Sequence, residues 1–190
     1  NITFPDGSVR SYNEGTTPYQ IARDISPRLA GEVLAATYNG KVCDLETPLM
    51  SDGSLKLHKW EDPEAKSVFW HSSSHLMAEA LESLYPGVKF GIGPSIENGF
   101  YYDVDLGDRT ITEADLKRIE DKMTELARGK EVFVRREVSK SEAMETYSKK
   151  GDQYKCELIG DLQDGTITFY TNGNFTDLCR GPHLRDTSVI

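Results

Sequence analysis

Long apolar runs are absent. Nothing approaches the ~20 consecutive residues of a membrane-crossing helix, so no membrane association is expected. Cysteine is scarce, with three in 190 residues, too few for a disulfide framework. That scarcity points to a reducing, cytoplasmic compartment. There is no P-loop and no dinucleotide fingerprint. Net positive charge is also lacking: the balance of −9 argues against a broad polyanion-binding surface. No signal peptide is recognisable, and the start at Asn1 reads as a trimmed terminus. Asp186 to Ile190 carry no stop signal, so the chain is expected to be a fragment of a longer protein. Asn174-Phe175-Thr176 and Asn1-Ile2-Thr3 match a glycosylation acceptor but carry no weight without a secretory signal.

What is present suits one large domain or two small ones. The basic residues are unevenly placed, with Arg128, Lys130, Arg135, Arg136, Lys140, Lys149, Lys150 and Lys155 crowding one stretch. Such a stretch could meet a phosphate backbone locally. Interleaved Glu131, Glu137, Glu142 and Glu145 favour the plainer reading of a solvated, mixed-charge face.

Residues 1–61 read as a small mixed unit. Pro5-Asp6-Gly7-Ser8 turns between Ile2–Phe4 and Val9–Tyr12. Thr17, Pro18 and Gln20 form a helix start with a capping box, and Pro27 lies just past the expected end. Asn39-Gly40 signals a hairpin between Leu34–Tyr38 and Val42–Leu45, and Asp52-Gly53 turns the chain before Leu55 and Leu57. The order strand, strand, helix, strand, strand, strand fits a ubiquitin-like β-grasp.

Residues 62–190 read as a larger α+β domain. Val68, His71, His75, Leu81 and Leu84 are spaced to share one side of a helix over 65–85 that Pro86-Gly87 ends. Thr112 caps a second helix bearing Leu116, Ile119, Met123 and Leu126. Val132 and Val134 predict a strand with those residues inward. Ser139 and Glu142 predict another capping box, with Gly151 at the far end, and 167–170 reads as a strand before the turn at Asn172-Gly173.

Chemistry concentrates in two motifs. His71-Ser-Ser-Ser-His75 places two imidazoles one helical turn apart. Cys179-Arg-Gly-Pro-His183 places a thiol and an imidazole four residues apart, and three of the four histidines fall in these motifs. Residue types of this kind converge to bind a metal, to activate a nucleophile or to move protons. His₃Cys is a plausible zinc set. Cys179 could be a thiolate activated by histidine. A histidine could polarise a water that attacks a carbonyl. Lys155 and Asp177 are near enough in sequence to join, although singly each is a surface charge by default. Gly91-Ile-Gly93-Pro allows close backbone approach, and one aromatic of Phe100-Tyr101-Tyr102 could stack on a base. His58, at the end of a predicted strand, is expected to be exposed. Cys43 and Cys156 read as small hydrophobes.

The strings His71-Ser-Ser-Ser-His-Leu, Gly91-Ile-Gly-Pro, Asn98-Gly-Phe-Tyr-Tyr-Asp and Thr176-Asp-Leu-Cys-Arg-Gly-Pro-His183 resemble the N-terminal region of bacterial threonyl-tRNA synthetases. The likeness covers nearly the whole chain: a TGS domain over 1–61 and an editing domain over 62–190. It implies hydrolysis of serine wrongly esterified to the terminal adenosine of tRNA(Thr). One methyl group separates the two amino acids and is worth only ~1–3 kcal/mol of discrimination, so a second, opposite test is needed. The resemblance carries over His71, His75, Lys155, Asp177, Cys179 and His183 as editing residues. It makes Lys155 and His71 candidates for water activation and charge stabilisation. Asp177 and His183 would orient substrate or water, and Cys179 would shape the pocket. Tyr102 and Gly93 match positions near the bound aminoacyl-adenosine. It further implies a metal-free editing site, in contrast to the zinc-dependent alanyl type. The parent enzyme would be a homodimeric threonine–tRNA ligase that uses ATP and zinc in a catalytic part absent from these residues. A third reading is a non-catalytic tRNA-binding or regulatory module.

Overall fold

Thr17 accepts the backbone N–H of Gln20 while the Gln20 side chain accepts the N–H of Thr17, so the first helix starts where its sequence signals place it. The computed structural model describes residues 1–190, and its chain divides into two units. The first comprises Asn1–Trp70 with Gly181–Arg185, the second His71–Arg180 with Asp186–Ile190.

The first unit contains β1 (Ile2–Thr3), β2 (Val9–Arg10), α1 (Pro18–Ile25), α2 (Pro27–Glu32), β3 (Ala35–Tyr38), β4 (Lys41–Cys43) and β5 (Gly53–His58). The strands form one sheet in the order β2-β1-β5-β3-β4, with β1 parallel to β5 and the other pairs antiparallel. This is the expected β-grasp. Ile2, Ile21, Ala22, Val33, Ala36, Leu45, Leu49 and Leu55 form its core. Pro27 lies just past the end of α1, as expected, and also opens α2, a helix that the sequence did not signal. Ser26 caps that helix, and proline suits a first helical position because its missing N–H has no partner there anyway. His58 is also corrected: it is fully buried rather than exposed.

α3 (Pro63–Leu84) begins in the first unit and ends in the second. The second unit continues with β6 (Lys89–Phe90), β7 (Ser95–Ile96), β8 (Gly99–Phe100), β9 (Val104–Asp105), α4 (Glu113–Arg128), β10 (Val134–Glu137), α5 (Lys140–Lys150), α6 (Gln153–Gly160), β11 (Thr168–Asn172) and β12 (Phe175–Leu178). A short 3₁₀ turn, Thr187–Val189, follows. β10, β11 and β12 make an antiparallel sheet, and β6–β9 and β7–β8 are small ribbons. One apolar cluster packs Ala78, Leu81, Tyr85, Val88, Phe90, Ile119 and Phe175; another packs Val138, Ala143, Tyr147, Ile159, Ile167 and Phe169.

Three local expectations fail for physical reasons. Val132 and Val134 are exposed while Phe133 between them is buried, because the larger aromatic takes the inward phase. Leu116 is exposed, and among its helical neighbours Ile119 does the burying. Ser139 caps α5, but Glu142 pairs with Arg136 at 2.5 Å instead of completing a box. Apart from buried Lys155, the basic stretch behaves as a solvated face: Arg135–Glu137, Arg136–Glu142 and Lys149–Glu145 pair at the surface. No helix is long and apolar enough to cross a membrane.

Candidate functional site

Helical spacing on α3 sets the first pair. The His71 and His75 rings lie 5.3 Å apart, edge to face. His71 is half-buried and His75 is 2% exposed. Burial leaves no water to solvate an imidazolium. It pushes the His75 pKa down to about 3, despite the opposing pull of Asp177. His75 is therefore a neutral ring at ordinary pH.

β12 supplies the second group. Strand alternation places Phe175 and Asp177 on the same, inward face. Asp177 thus occupies a position where an apolar residue would be ordinary. Its carboxylate is surrounded by partners. Lys155 Nζ lies 2.7 Å from Oδ1, and the backbone N–H of Leu178 donates to the same oxygen at 2.8 Å. The Tyr102 hydroxyl donates to Oδ2, and His75 Nε2 stands 3.7 Å from it. Tyr147 donates to Oδ1 at 3.4 Å. Burial alone would raise the Asp177 pKa, but Lys155, His75 and the hydrogen bonds prevail and hold it below the usual carboxylate range. Burial, reinforced by Asp177, pushes the hydroxyls of Tyr102 and Tyr147 well above the usual phenol range, so both remain donors.

Lys155 enters from α6. Asp152 caps that helix by accepting the N–H of Lys155 at 3.1 Å. Lys155 and Ile159, one turn apart, are its buried residues. Neither Lys155 nor Asp177 is the surface charge that each would be when taken singly.

Cys179 follows β12 directly. Its backbone N–H donates to Thr168 O at 3.1 Å, which continues the β11–β12 ladder, and the Thr168 hydroxyl donates back to Cys179 O. The partly buried thiol lies 3.2 Å from His71 Nε2. The ligand atoms of His71, His75 and Cys179 all lie within 4.8 Å of one another, so these three could hold a metal ion.

Gly93 accounts for its own residue type. A Cβ there would fall 2.5 Å from the Tyr102 ring, and Gly93 O accepts from Ser74 Oγ at 3.1 Å. The turn therefore lies against the tyrosine that binds Asp177. Tyr101 is exposed and Tyr102 half-buried. The second unit thus brings together His71, His75, Gly93, Tyr102, Lys155, Asp177 and Cys179. His183 belongs to the Gly181–Arg185 segment of the first unit. There it is fully buried, and its N–H donates to Asp44 Oδ1 at 2.6 Å.

Sequence reasoning missed Tyr147, whose signal is its spacing four residues after Ala143 on α5, both buried. It also missed α6, whose signal was Asp152 three residues before Lys155, an N-cap spacing.

Two family models match parts of the chain. Residues 1–59 match the TGS domain. Residues 167–190, which include Asp177 and Cys179, match the "Threonyl and Alanyl tRNA synthetase second additional domain". The whole chain is similar to the N-terminal region of threonine–tRNA ligases. It is 61% identical over 189 residues to that of Parabacteroides distasonis, 59% to that of Phocaeicola vulgatus and 54% to that of Cytophaga hutchinsonii. In each case all of this chain is covered, and it spans 29% of the relative's length.

Proposed function

We propose that these residues carry out the editing half of threonyl-tRNA synthesis: hydrolysis of the ester joining serine to the terminal adenosine of tRNA(Thr). The observation that supports this most is a buried Lys155–Asp177–Tyr102 group beside two histidines and a thiol, all within the second unit. A buried ammonium fixed by a carboxylate is an expensive arrangement, and it suits a reaction in which negative charge develops on a carbonyl oxygen.

In the proposed reaction a water oxygen bonds to the seryl carbonyl carbon. The water's proton passes to His71, the less buried histidine and the one within reach of substrate. The Lys155 ammonium stabilises the developing oxyanion. Collapse breaks the ester C–O bond, and the ribose oxygen leaves with the proton returned by His71. The products are serine and a tRNA with a free 3′ end. His75, kept neutral by burial, orients Asp177 rather than exchanging protons. Cys179 shapes the wall next to His71. His183, four residues beyond Cys179 in the chain, is proposed as a further orienting group. Tyr102 and the Gly93 turn would bound the amino-acid end, where a hollow that fits serine must exclude one additional methyl. The aminoacylation partner of this activity, with its ATP, its zinc and its dimer contact, is proposed to lie in the remaining length of the parent ligase.

The test is deacylation of matched seryl-tRNA(Thr) and threonyl-tRNA(Thr) by this chain, with metal content measured on the same sample. Release of serine with threonine spared is the expected outcome. Equal loss of both would remove the selectivity. No loss of either, with tRNA still bound, would favour a binding module.

A second reading has an observation of its own. The ligand atoms of His71, His75 and Cys179 are close enough to share one ion. A zinc-dependent hydrolase would then use the metal to acidify its water. Stoichiometric zinc, with activity lost to a chelator and restored by zinc, would favour that reading over the metal-free one.

A further inference from the structure

His58 ends β5 fully buried in the first unit, yet the ring is not used up by its surroundings. Nε2 lies 2.6 Å from Thr37 Oγ1, whereas Nδ1 has no hydrogen-bond partner. Nδ1 faces Glu64 Oε2 at 3.6 Å and Asp62 Oδ2 at 3.7 Å. Those separations exceed the ~2.7–3.2 Å of an N–H···O bond. They approach the spacing of two ligands on one ion: with metal–ligand bonds of about 2.0–2.1 Å, tetrahedral neighbours stand about 3.4 Å apart. The three ligand atoms lie within 4.8 Å of one another. From this convergence we propose that His58, Asp62 and Glu64 form a binding site for a divalent cation of the zinc class, with water completing its coordination.

The surroundings fit such an ion. Binding through Nδ1 requires the ring proton on Nε2, where Thr37 Oγ1 accepts it, the outer-shell contact that orients metal-bound histidines. Burial pushes the His58 pKa down, which leaves the ring neutral and its lone pair available. The backbone N–H of Lys59 and then the Lys56 ammonium hold the Asp62 carboxyl below its ordinary range, so it is ionised. Lys56 sits on Oδ1 at 3.2 Å, while Oδ2 accepts the Lys59 N–H at 3.0 Å and turns its remaining lone pair towards the ring. The Asp62 and Glu64 side chains are 29% and 38% exposed, which provides an entry path. One nitrogen and two carboxylates suit zinc better than magnesium or calcium, which take all-oxygen shells. Asp62 precedes α3 and Glu64 lies in its first turn, so the ion would pin the start of that helix to the end of β5.

The experiment is calorimetric titration of zinc chloride into the metal-free chain carrying His71→Ala and Cys179→Ala, which breaks up the other candidate cluster by removing two of its ligands. One zinc per chain is expected. Glu64→Gln or Asp62→Asn, made in that background, should weaken it by about tenfold or more, a loss that even outer-shell substitutions can cause. Circular dichroism on the same samples checks that the variants are folded. Cobalt supplies an independent readout, since an N/O site gives visible bands without a thiolate charge-transfer band. No zinc retained after dialysis, or an affinity unchanged in both carboxamide variants, would overturn the site.

Discussion

Lys155 Nζ and Asp177 Oδ1 are 2.7 Å apart, with side chains only 3% and 5% exposed. Breaking such a pair from one side leaves an uncompensated buried charge, which costs about 3–5 kcal/mol. Lys155→Met is therefore expected to destabilise the chain on that scale in urea denaturation. Asp177→Asn should cost on the same scale, because it leaves the Lys155 ammonium without its counter-charge and one amide oxygen cannot accept from both Leu178 and Tyr102, which donate to different carboxylate oxygens. The double variant Lys155→Met/Asp177→Leu should recover much of the loss, because no lone charge remains, while deacylation stays at background. A double variant as unstable as the sum of the singles would mean that the two side chains do not act as a pair.

The burial of His75 makes stability depend on pH in a definite direction. Its folded pKa, about 3, lies below the ordinary 6.5, so the unfolded chain binds the extra proton across that interval. The contribution is complete above pH 6.5 and is lost progressively as pH falls towards 3. Between pH 7 and pH 5 the loss is about 2 kcal/mol. Asp177 adds to it only further down, below its ordinary 3.8 and as pH falls through its lowered folded value. Urea unfolding followed by circular dichroism at pH 7 and pH 5 measures the slope, and His75→Gln should flatten it. An equal slope in that variant would assign the acid sensitivity to other groups.

Much of this was legible in the chain because local rules govern it. Thr17-Pro18 capping, the Asn39-Gly40 turn and the His71/His75 spacing each fix backbone within a few residues. Burial of single charged residues was not legible in the same way. Asp177 lies inward because its register follows Phe175, and the apolar neighbour Leu178 points to the other phase. Lys155 is buried through the tertiary placement of α6, and His58 through sheet packing around β5, neither of which has a sequence period of its own. Electrostatic sites assembled from four separate segments are set by tertiary contacts, which spacing along one segment does not encode.

Gly93 offers a test that leaves every titratable group in place. In Gly93→Ala the new methyl would begin 2.5 Å from the Tyr102 ring, so the ring or the turn must move. Overpacking of this kind costs about 1–3 kcal/mol. Displacing Tyr102 also removes its hydrogen bond to Asp177. Seryl-tRNA deacylation should fall more steeply than melting temperature, and Tyr102→Phe should lose the same hydrogen bond at a cost of about 1.5–3 kcal/mol, because its acceptor is a buried carboxylate. Full activity in Gly93→Ala would show that the approach of turn to ring is packing alone.

Cys179 and His71 separate water attack from covalent catalysis. The thiol is 3.2 Å from His71 Nε2, a distance compatible with either role. If Cys179 only shapes the wall, Cys179→Ser keeps the size and the contact with His71, and turnover should stay within about tenfold of the parent. His71→Ala, by contrast, removes the proposed proton acceptor and should lower turnover by about 10²–10⁴-fold. Single-turnover deacylation of seryl-tRNA(Thr) measures both. Were Cys179 a nucleophile, a hydroxyl in its place would be far less reactive, and a seryl thioester would accumulate on the unsubstituted chain during a rapid quench. Collapse of Cys179→Ser to background together with such an adduct would replace the water mechanism with a covalent one.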